Sequence, residues 1–217
     1  MDKSDLLECK SLCNCSNKAR RPGLTVLTGG PGAGKTAVLE SVKMLLCEHV
    51  AILPEAASLI FSGGFWRLES NTARQAAQRA IYHVQTEMEN LVLSEGKWCF
   101  ALCDRGTIDG LAYWTGDEES YWKSFNTTKE KEFLKYESVI HLEVPELHQG
   151  YNHQNPLRKE TVSEARAIDE KIHKVWRDHP GYNFIKSEDS FFKKVVATTE
   201  LIKKVVPDCC SPTLECF

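Results

Sequence analysis

The chain has 217 residues, enough for one domain with a full hydrophobic core. Its 27 Lys and Arg against 30 Asp and Glu give a formal charge of −3, which leaves no overall cationic field of the kind that holds a nucleic-acid backbone, so no bulk nucleic-acid partner is expected. No run reaches the roughly 18–20 apolar residues of a membrane span, and the charged N-terminus, with Asp2, Lys3, Asp5, Glu8, Lys10 and Lys18, carries no signal-peptide core, which predicts a cytoplasmic protein.

In chain order, residues 1–22 read as a poorly ordered tail that ends in Arg20-Arg21-Pro22, residues 23–206 as the domain and residues 207–217 as a C-terminal tail. Leu24–Thr28 is a short β-branched and apolar run that stops at a glycine cluster, and Ala37–Cys47 then shows helical apolar spacing. His49–Leu53 predicts a second strand, closed by Pro54 and followed by a short helix over Glu55–Phe61 and the flexible Ser62-Gly63-Gly64. A long amphipathic helix is predicted from Thr72 to Glu95, with Ala73, Ala77, Ala80, Val84, Met88 and Leu91 on its inner stripe, a capping box at Thr72 and Gln75, and Gly96 as its stop.

Trp98–Cys103, ending on Asp104, has the unbroken apolar character of a strand covered on both faces, and Ser138–Val144 predicts another. Two helices are expected between them, around Trp114, Trp122, Phe125 and Phe133. Residues 146–160, with His148, Gly150, His153, Asn155 and Pro156, form a polar loop of the length that often serves as a lid. A capping box at Thr161 and Glu164 opens a helix with Ala165, Ile168, Ile172 and Val175 inward, then a strand at Tyr182–Lys186 and a helix at Phe191–Val206.

Strands alternating with helices predict an α/β fold of three layers: a five-stranded parallel sheet between helices, with the ligand site at the carboxyl ends of the strands. The nine cysteines divide into two groups. Cys47, Cys99 and Cys103 lie in apolar stretches and read as core. Cys9, Cys13, Cys15, Cys209, Cys210 and Cys216 lie near the termini in no paired zinc spacing and read as reduced tails.

GGPGAGKT, from Gly29 through Gly30, Pro31, Gly32, Ala33, Gly34 and Lys35 to Thr36, fills the pattern G-x-x-x-x-G-K-[ST] between a predicted strand and a predicted helix. Such a turn aims successive backbone N–H groups at phosphate oxygens, and the helix that begins near Ala37 adds the positive end of its dipole. Lys35 suits the β and γ phosphates of ATP, and the Thr36 hydroxyl suits Mg²⁺. Asp104, at the end of a buried strand, is a second Mg²⁺ ligand candidate.

Phosphoryl transfer further asks for positive charge and a proton acceptor. Arg105 and Arg158 are the candidate cations. Glu55, on the same strand-end rim, is the candidate base or a helix-terminal carboxylate. Asp109 orients Arg105, contacts an acceptor, or opens a helix. Phe61, Phe65, Trp66 and Tyr113 are candidate stacking surfaces for an acceptor.

Together GGPGAGKT, the LPEAA of Leu53–Ala57, the DRGTIDGLAYW of Asp104–Trp114, and Arg158 and Glu160 ahead of the EARAIDE helix resemble the small stand-alone AAA-domain family of predicted ATPases. That family is similar to the ribosylnicotinamide kinase module and, more distantly, to deoxynucleoside and thymidylate kinases. The resemblance implies a nucleoside-kinase-like sheet with the P-loop strand in the middle, Glu55 as general base, Asp104 and Arg105 serving Mg²⁺ and phosphates, and Arg158 as a lid arginine. The lid departs from many kinase lids in holding only one arginine and one lysine.

The reading is therefore a kinase that moves the ATP γ-phosphate to a nucleoside-like or other small-metabolite hydroxyl. The alternative is an ATPase or nucleotide-dependent switch that acts through a protein partner. GTP is not excluded as the nucleotide, although no N-K-x-D motif is present.

Overall fold

The computed structural model describes residues 22–145, 161–187, 191–207 and 210. Five strands form one parallel sheet: β1 (Gly23–Thr28), β2 (Val50–Leu53), β3 (Phe100–Asp104), β4 (Ser138–Leu142) and β5 (Tyr182–Ile185), in the order β2-β3-β1-β4-β5. β1 lies in the middle, paired with β3 through Leu27 and Asp104 and with β4 through Thr28 and His141. Its GLTVLT side chains are buried at every position, as a central strand covered on both faces requires.

Strand periodicity splits the interior into two cores. Leu27, Phe100, Leu102, Ile140 and Leu142 pack on one face with Val38, Leu39 and Val42 of α1 (Lys35–Lys43) and Ile202 of α7 (Phe191–Val205). Leu24, Val26, Ala101, Cys103 and Val139 pack on the other with Val92 of α3 (Asn71–Ser94), which follows the short α2 (Ala56–Ser62), and with Ile172 and Trp176 of α6 (Val162–Trp176). Between β3 and β4 the chain forms a 3-10 helix at Thr107–Tyr113, then α4 (Glu118–Phe125) and α5 (Lys129–Phe133), one turn more than the two expected helices. The Thr161–Glu164 capping box is present at the start of α6, with Ala165 and Ile172 fully buried behind it.

The long helix α3 is where the hydrophobic pattern misleads. Ser70, not Thr72, caps it by accepting from the Ala73 N–H. Its buried face carries Ala77, Tyr82, Gln85, Glu89 and Val92, while Leu91 is 55 % exposed. Polar groups occupy the inner face because they satisfy one another: Gln85 Nε2 and Tyr136 Oη both donate to Glu89 Oε1 at 2.8 Å, Tyr82 Oη donates to Glu132 Oε1 at 2.8 Å, and Thr107 Oγ1 donates to Glu132 Oε2 at 2.6 Å. The expected cysteine tail is corrected at one position, since Cys210 is completely buried in the α1/α7 core. The lid span 146–160 lies outside the described residues. Among those described, no helix is long and apolar enough to cross a membrane.

Burial pushes the Glu89 carboxyl up from the ordinary 4.5 to about 6, so the folded protein holds this proton more tightly than the unfolded chain. Stability from this site is therefore greatest below about pH 4.5 and declines by roughly 2 kcal/mol as pH climbs past 6. Glu89→Gln keeps an acceptor for Tyr136 and Gln85 and removes the ionisation. The Tm advantage of the variant over the wild type should be near zero at pH 4 and widen to about 4–8 °C at pH 7 in thermal melts; a gap that does not change with pH would contradict this account.

Candidate functional site

The segment between β1 and α1 turns by means of Gly29, Gly32 and Gly34, whose φ angles are 134°, 85° and 93°, a left-handed region that side chains rarely enter. Space is equally restrictive. A Cβ at Gly29 would collide with the Leu142 carbonyl, and one at Gly30 would lie 2.7 Å from the Ala165 carbonyl. Lys35 Nζ is buried inside the turn and donates to the carbonyls of Gly29 at 2.9 Å and Gly30 at 3.1 Å. Burial, and then the neighbouring Arg105 charge, lower its pKa to about 8.

Three elements outside the loop hold it in place. Asp169 of α6 accepts the Gly30 N–H at 2.6 Å and the Val144 N–H at 3.1 Å, with His141 Nε2 at 2.8 Å completing the cluster. Lys194 of α7 donates to the Ala33 carbonyl at 3.2 Å and the Glu143 carbonyl at 2.8 Å. Thr28, the last residue of β1, donates from Oγ1 to Asp109 at 2.6 Å.

Asp104 ends β3 beside this loop. Its side chain is buried, and its Oδ1 has no hydrogen-bond partner among the described residues. Burial, opposed by Lys35 and reinforced by Glu55, raises its carboxyl to about 6. An unpaired buried carboxylate oxygen lining the same cleft as the exposed Thr36 fits a divalent cation. No cluster of three His, Cys, Asp or Glu that could hold a metal alone occurs among the described residues, so the set suits a cation that also draws on phosphate oxygens.

Arg105 adopts φ 75°, a left-handed conformation uncommon for a non-glycine residue. The turn brings its guanidinium back across the rim: Nε donates to Glu55 Oε1 at 2.6 Å, and Nη1 donates to the Gly29 carbonyl and Asp109 Oδ2, each at 3.2 Å. Asp109 also accepts from Trp176 Nε1 at 2.6 Å, so it does orient Arg105 and at the same time sits in the first turn of a helix, here 3-10. Burial works to raise the Glu55 carboxyl, but the charges of Arg105 and Lys35 and a hydrogen bond from Ser58 outweigh it and hold it at about 2.

A cleft of about 710 Å³ opens beside these groups, running from Pro31, Gly32, Lys35 and Thr36 past Glu55, Asp104, Arg105 and Asp109 to the inner face of α3. A helix-flanked P-loop at the carboxyl end of a central parallel strand is a phosphate-binding arrangement. A family model described as AAA domain matches residues 24–192, most of the chain. The chain belongs to the AAA-domain family. Among solved structures, the thymidylate kinase of Candida albicans is similar with a TM-score of 0.57 and 12 % identity, over 85 % of this chain and 92 % of that one, a likeness of fold alone. No curated protein sequence matches the chain. This AAA-domain chain accordingly has a nucleotide-kinase-like fold and is a P-loop enzyme of the kinase or NTP-hydrolase type.

The structure brings Lys35, Thr36, Glu55, Asp104, Arg105 and Asp109 to one cleft; Arg158 lies outside the described residues. Of the four aromatic candidates Phe61, Trp66 and Tyr113 line the cleft, while Phe65 packs edge-on against Phe61 at 6.4 Å. Sequence reading missed the loop supports Asp169, His141 and Lys194 and the α3 wall of Gln78, Tyr82 and Gln85. Nothing local marks the loop supports, because Asp169, His141 and Lys194 act on groups tens of residues away.

Removing Arg105 leaves Glu55 and Asp109 without their shared cation. Arg105→Ala should raise the Glu55 pKa above its present value of about 2 in a carbon-detected NMR titration. Loss of one partner of a largely buried ion pair, at roughly 3 kcal/mol, should also lower Tm by about 6–12 °C. An unmoved Glu55 titration would show that the guanidinium does not control this carboxylate.

Proposed function

We propose that this AAA-domain protein is a Mg²⁺-dependent kinase that transfers the γ-phosphate of ATP to a hydroxyl of a nucleoside-like or other small metabolite. The observation that carries this reading is the 2.6 Å pair of Glu55 and Arg105 on the P-loop rim, with a cleft lined by aromatic and amide side chains beside it. A protein that only hydrolyses ATP has no need of a second compartment walled by Phe61, Trp66, Tyr82, Gln85 and Tyr113.

The backbone amides of the Gly29–Thr36 turn and the start of α1, extending to Ala37, cradle the triphosphate, with Lys35 leaving its loop carbonyls to meet the β and γ oxygens. Thr36 and Asp104, together with phosphate oxygens, would hold Mg²⁺, which would supply charge neutralisation. Arg105 has two tasks: it adds positive charge near the transferring group and fixes the orientation of Glu55. Arg158, in the segment preceding α6, is the lid cation of this reading.

Glu55 stays ionised throughout the physiological range, which suits a neutral hydroxyl acceptor. An incoming phosphate dianion would meet Glu55 and Asp109 as fixed negative charges, whereas a neutral hydroxyl donates a hydrogen bond to Glu55 and is aligned by it. With a pKa of about 2, Glu55 is a weak base, so its contribution is alignment and acceptance of the proton late, as the new P–O bond forms.

The test is a panel of nucleosides and small metabolite alcohols with γ-labelled ATP and Mg²⁺. At least one neutral alcohol should become labelled, and Glu55→Gln should lower kcat by roughly 10²-fold or more while ATP affinity stays within about 3-fold. Lys35→Ala should instead cost both binding and turnover. Slow ATP hydrolysis without any labelled acceptor, unchanged in Glu55→Gln, would favour the nucleotide-dependent switch acting through a protein partner.

A further inference from the structure

At the end of the sheet opposite the nucleotide cleft, three cysteines from separate segments converge. Cys47 follows α1, Cys99 immediately precedes β3, and Cys210 lies just beyond α7. Cys210 Sγ is 3.0 Å from Cys47 Sγ and 3.3 Å from Cys99 Sγ, and all three are present as thiols. A disulfide needs the sulfurs to approach by only about 1 Å further. Cys210 and Cys47 are buried, and Cys99 is the one with partial access to solvent. Hydrogen bonding with Cys47 and Cys99 pushes the Cys210 thiol well above its ordinary range, which makes Cys210 a poor first nucleophile toward an oxidant but leaves it placed to resolve an oxidised neighbour.

We propose that Cys210 is an oxidative modification site, forming an intramolecular disulfide first with Cys99 and, by exchange, with Cys47. The oxidant is a peroxide. The Cys99 sulfur attacks one peroxide oxygen, the O–O bond breaks, and Cys99 becomes a sulfenic acid while the peroxide is reduced to an alcohol or water. The Cys210 sulfur then attacks the Cys99 sulfur, the S–S bond forms, the S–O bond breaks, and the hydroxyl leaves as water with the Cys210 proton. Two thiols and one peroxide thus give one disulfide, one water, and one alcohol or second water. Attack of Cys47 on Cys210 moves the bond to the closer pair without further oxidation.

The bond ties the C-terminal end of α7 to the sheet. α7 is the helix whose Lys194 holds the Ala33 carbonyl, and whose Phe191 ring lies against Gly34, so the covalent tie anchors one buttress of the P-loop. Linking positions 111 residues apart restricts the unfolded chain strongly, and a Tm rise of about 5–10 °C is expected.

The experiment uses the full chain carrying Cys209→Ser, so that the neighbouring thiol does not blur the assignment. The protein is exposed to hydrogen peroxide, alkylated with N-ethylmaleimide under denaturing conditions and mapped by peptide mass spectrometry without reduction. The expected product joins the peptide containing Cys210 to that of Cys99 or Cys47, 2 mass units below their sum and reversed by dithiothreitol, with the Tm rise above. Adding Cys210→Ser should abolish both. Full alkylation of Cys210 after peroxide, linkage of Cys210 only to Cys9, Cys13, Cys15 or Cys216, or a Tm rise that persists in Cys210→Ser would each overturn the proposal. The mapping on the Cys209→Ser chain decides the matter even if Cys210→Ser fails to fold.

Discussion

The Arg105 guanidinium is the charge around which the cleft is organised. A cation of this kind is stable in a largely buried position only when acceptors surround it, and here Glu55, Asp109 and the Gly29 carbonyl do so from three different elements. Holding it there requires the left-handed φ of Arg105, a local strain that the surrounding bonds maintain. Asp109 in turn is shared with Thr28 at the end of β1 and with Trp176 at the end of α6, so one ion cluster connects the P-loop strand, the β3 rim and the helix that follows the lid span.

The P-loop itself has little freedom. Its left-handed glycines allow the tight turn, and Gly29 and Gly30 are also needed because the Leu142 and Ala165 carbonyls approach too closely to admit a side chain. Asp169 and Lys194 then fix individual loop groups from helices on opposite faces of the sheet. A loop backbone held in this way needs little rearrangement to meet phosphate oxygens, which is how fixed dipoles become effective in binding and in transition-state stabilisation. Rigidity at the P-loop contrasts with the α3 wall, where tyrosine, threonine, glutamine and glutamate groups form a bonded lattice behind the far end of the cleft. Such a lattice keeps polar side chains in set orientations inside an otherwise apolar layer.

Local signals and long-range ones were not equally legible. The capping box at Thr161 and Glu164 was readable because all its groups lie within one turn of chain. Helix α3 was read with the wrong cap and a partly wrong inner stripe, because the residues that make Gln85 and Glu89 buriable, Tyr136 among them, are supplied by distant segments. Cys210 looked like part of a tail, since its partners Cys47 and Cys99 stand 163 and 111 residues away.

The sequence by itself determined the alternation of strands and helices, the parallel sheet with its P-loop at a strand end, and the placing of Lys35, Thr36, Glu55, Asp104 and Arg105 on one rim. These depend on short-range periodicity, on glycine stereochemistry and on the rule that strand ends share one rim. Only the tertiary structure decided that Arg105 and Glu55 bond to each other, that Asp109 joins them to Trp176, and that Asp169 and Lys194 brace the loop. Pairings of that kind depend on distances and directions between segments far apart in the chain, which are set once the sheet order β2-β3-β1-β4-β5 and the packing of its two cores are in place.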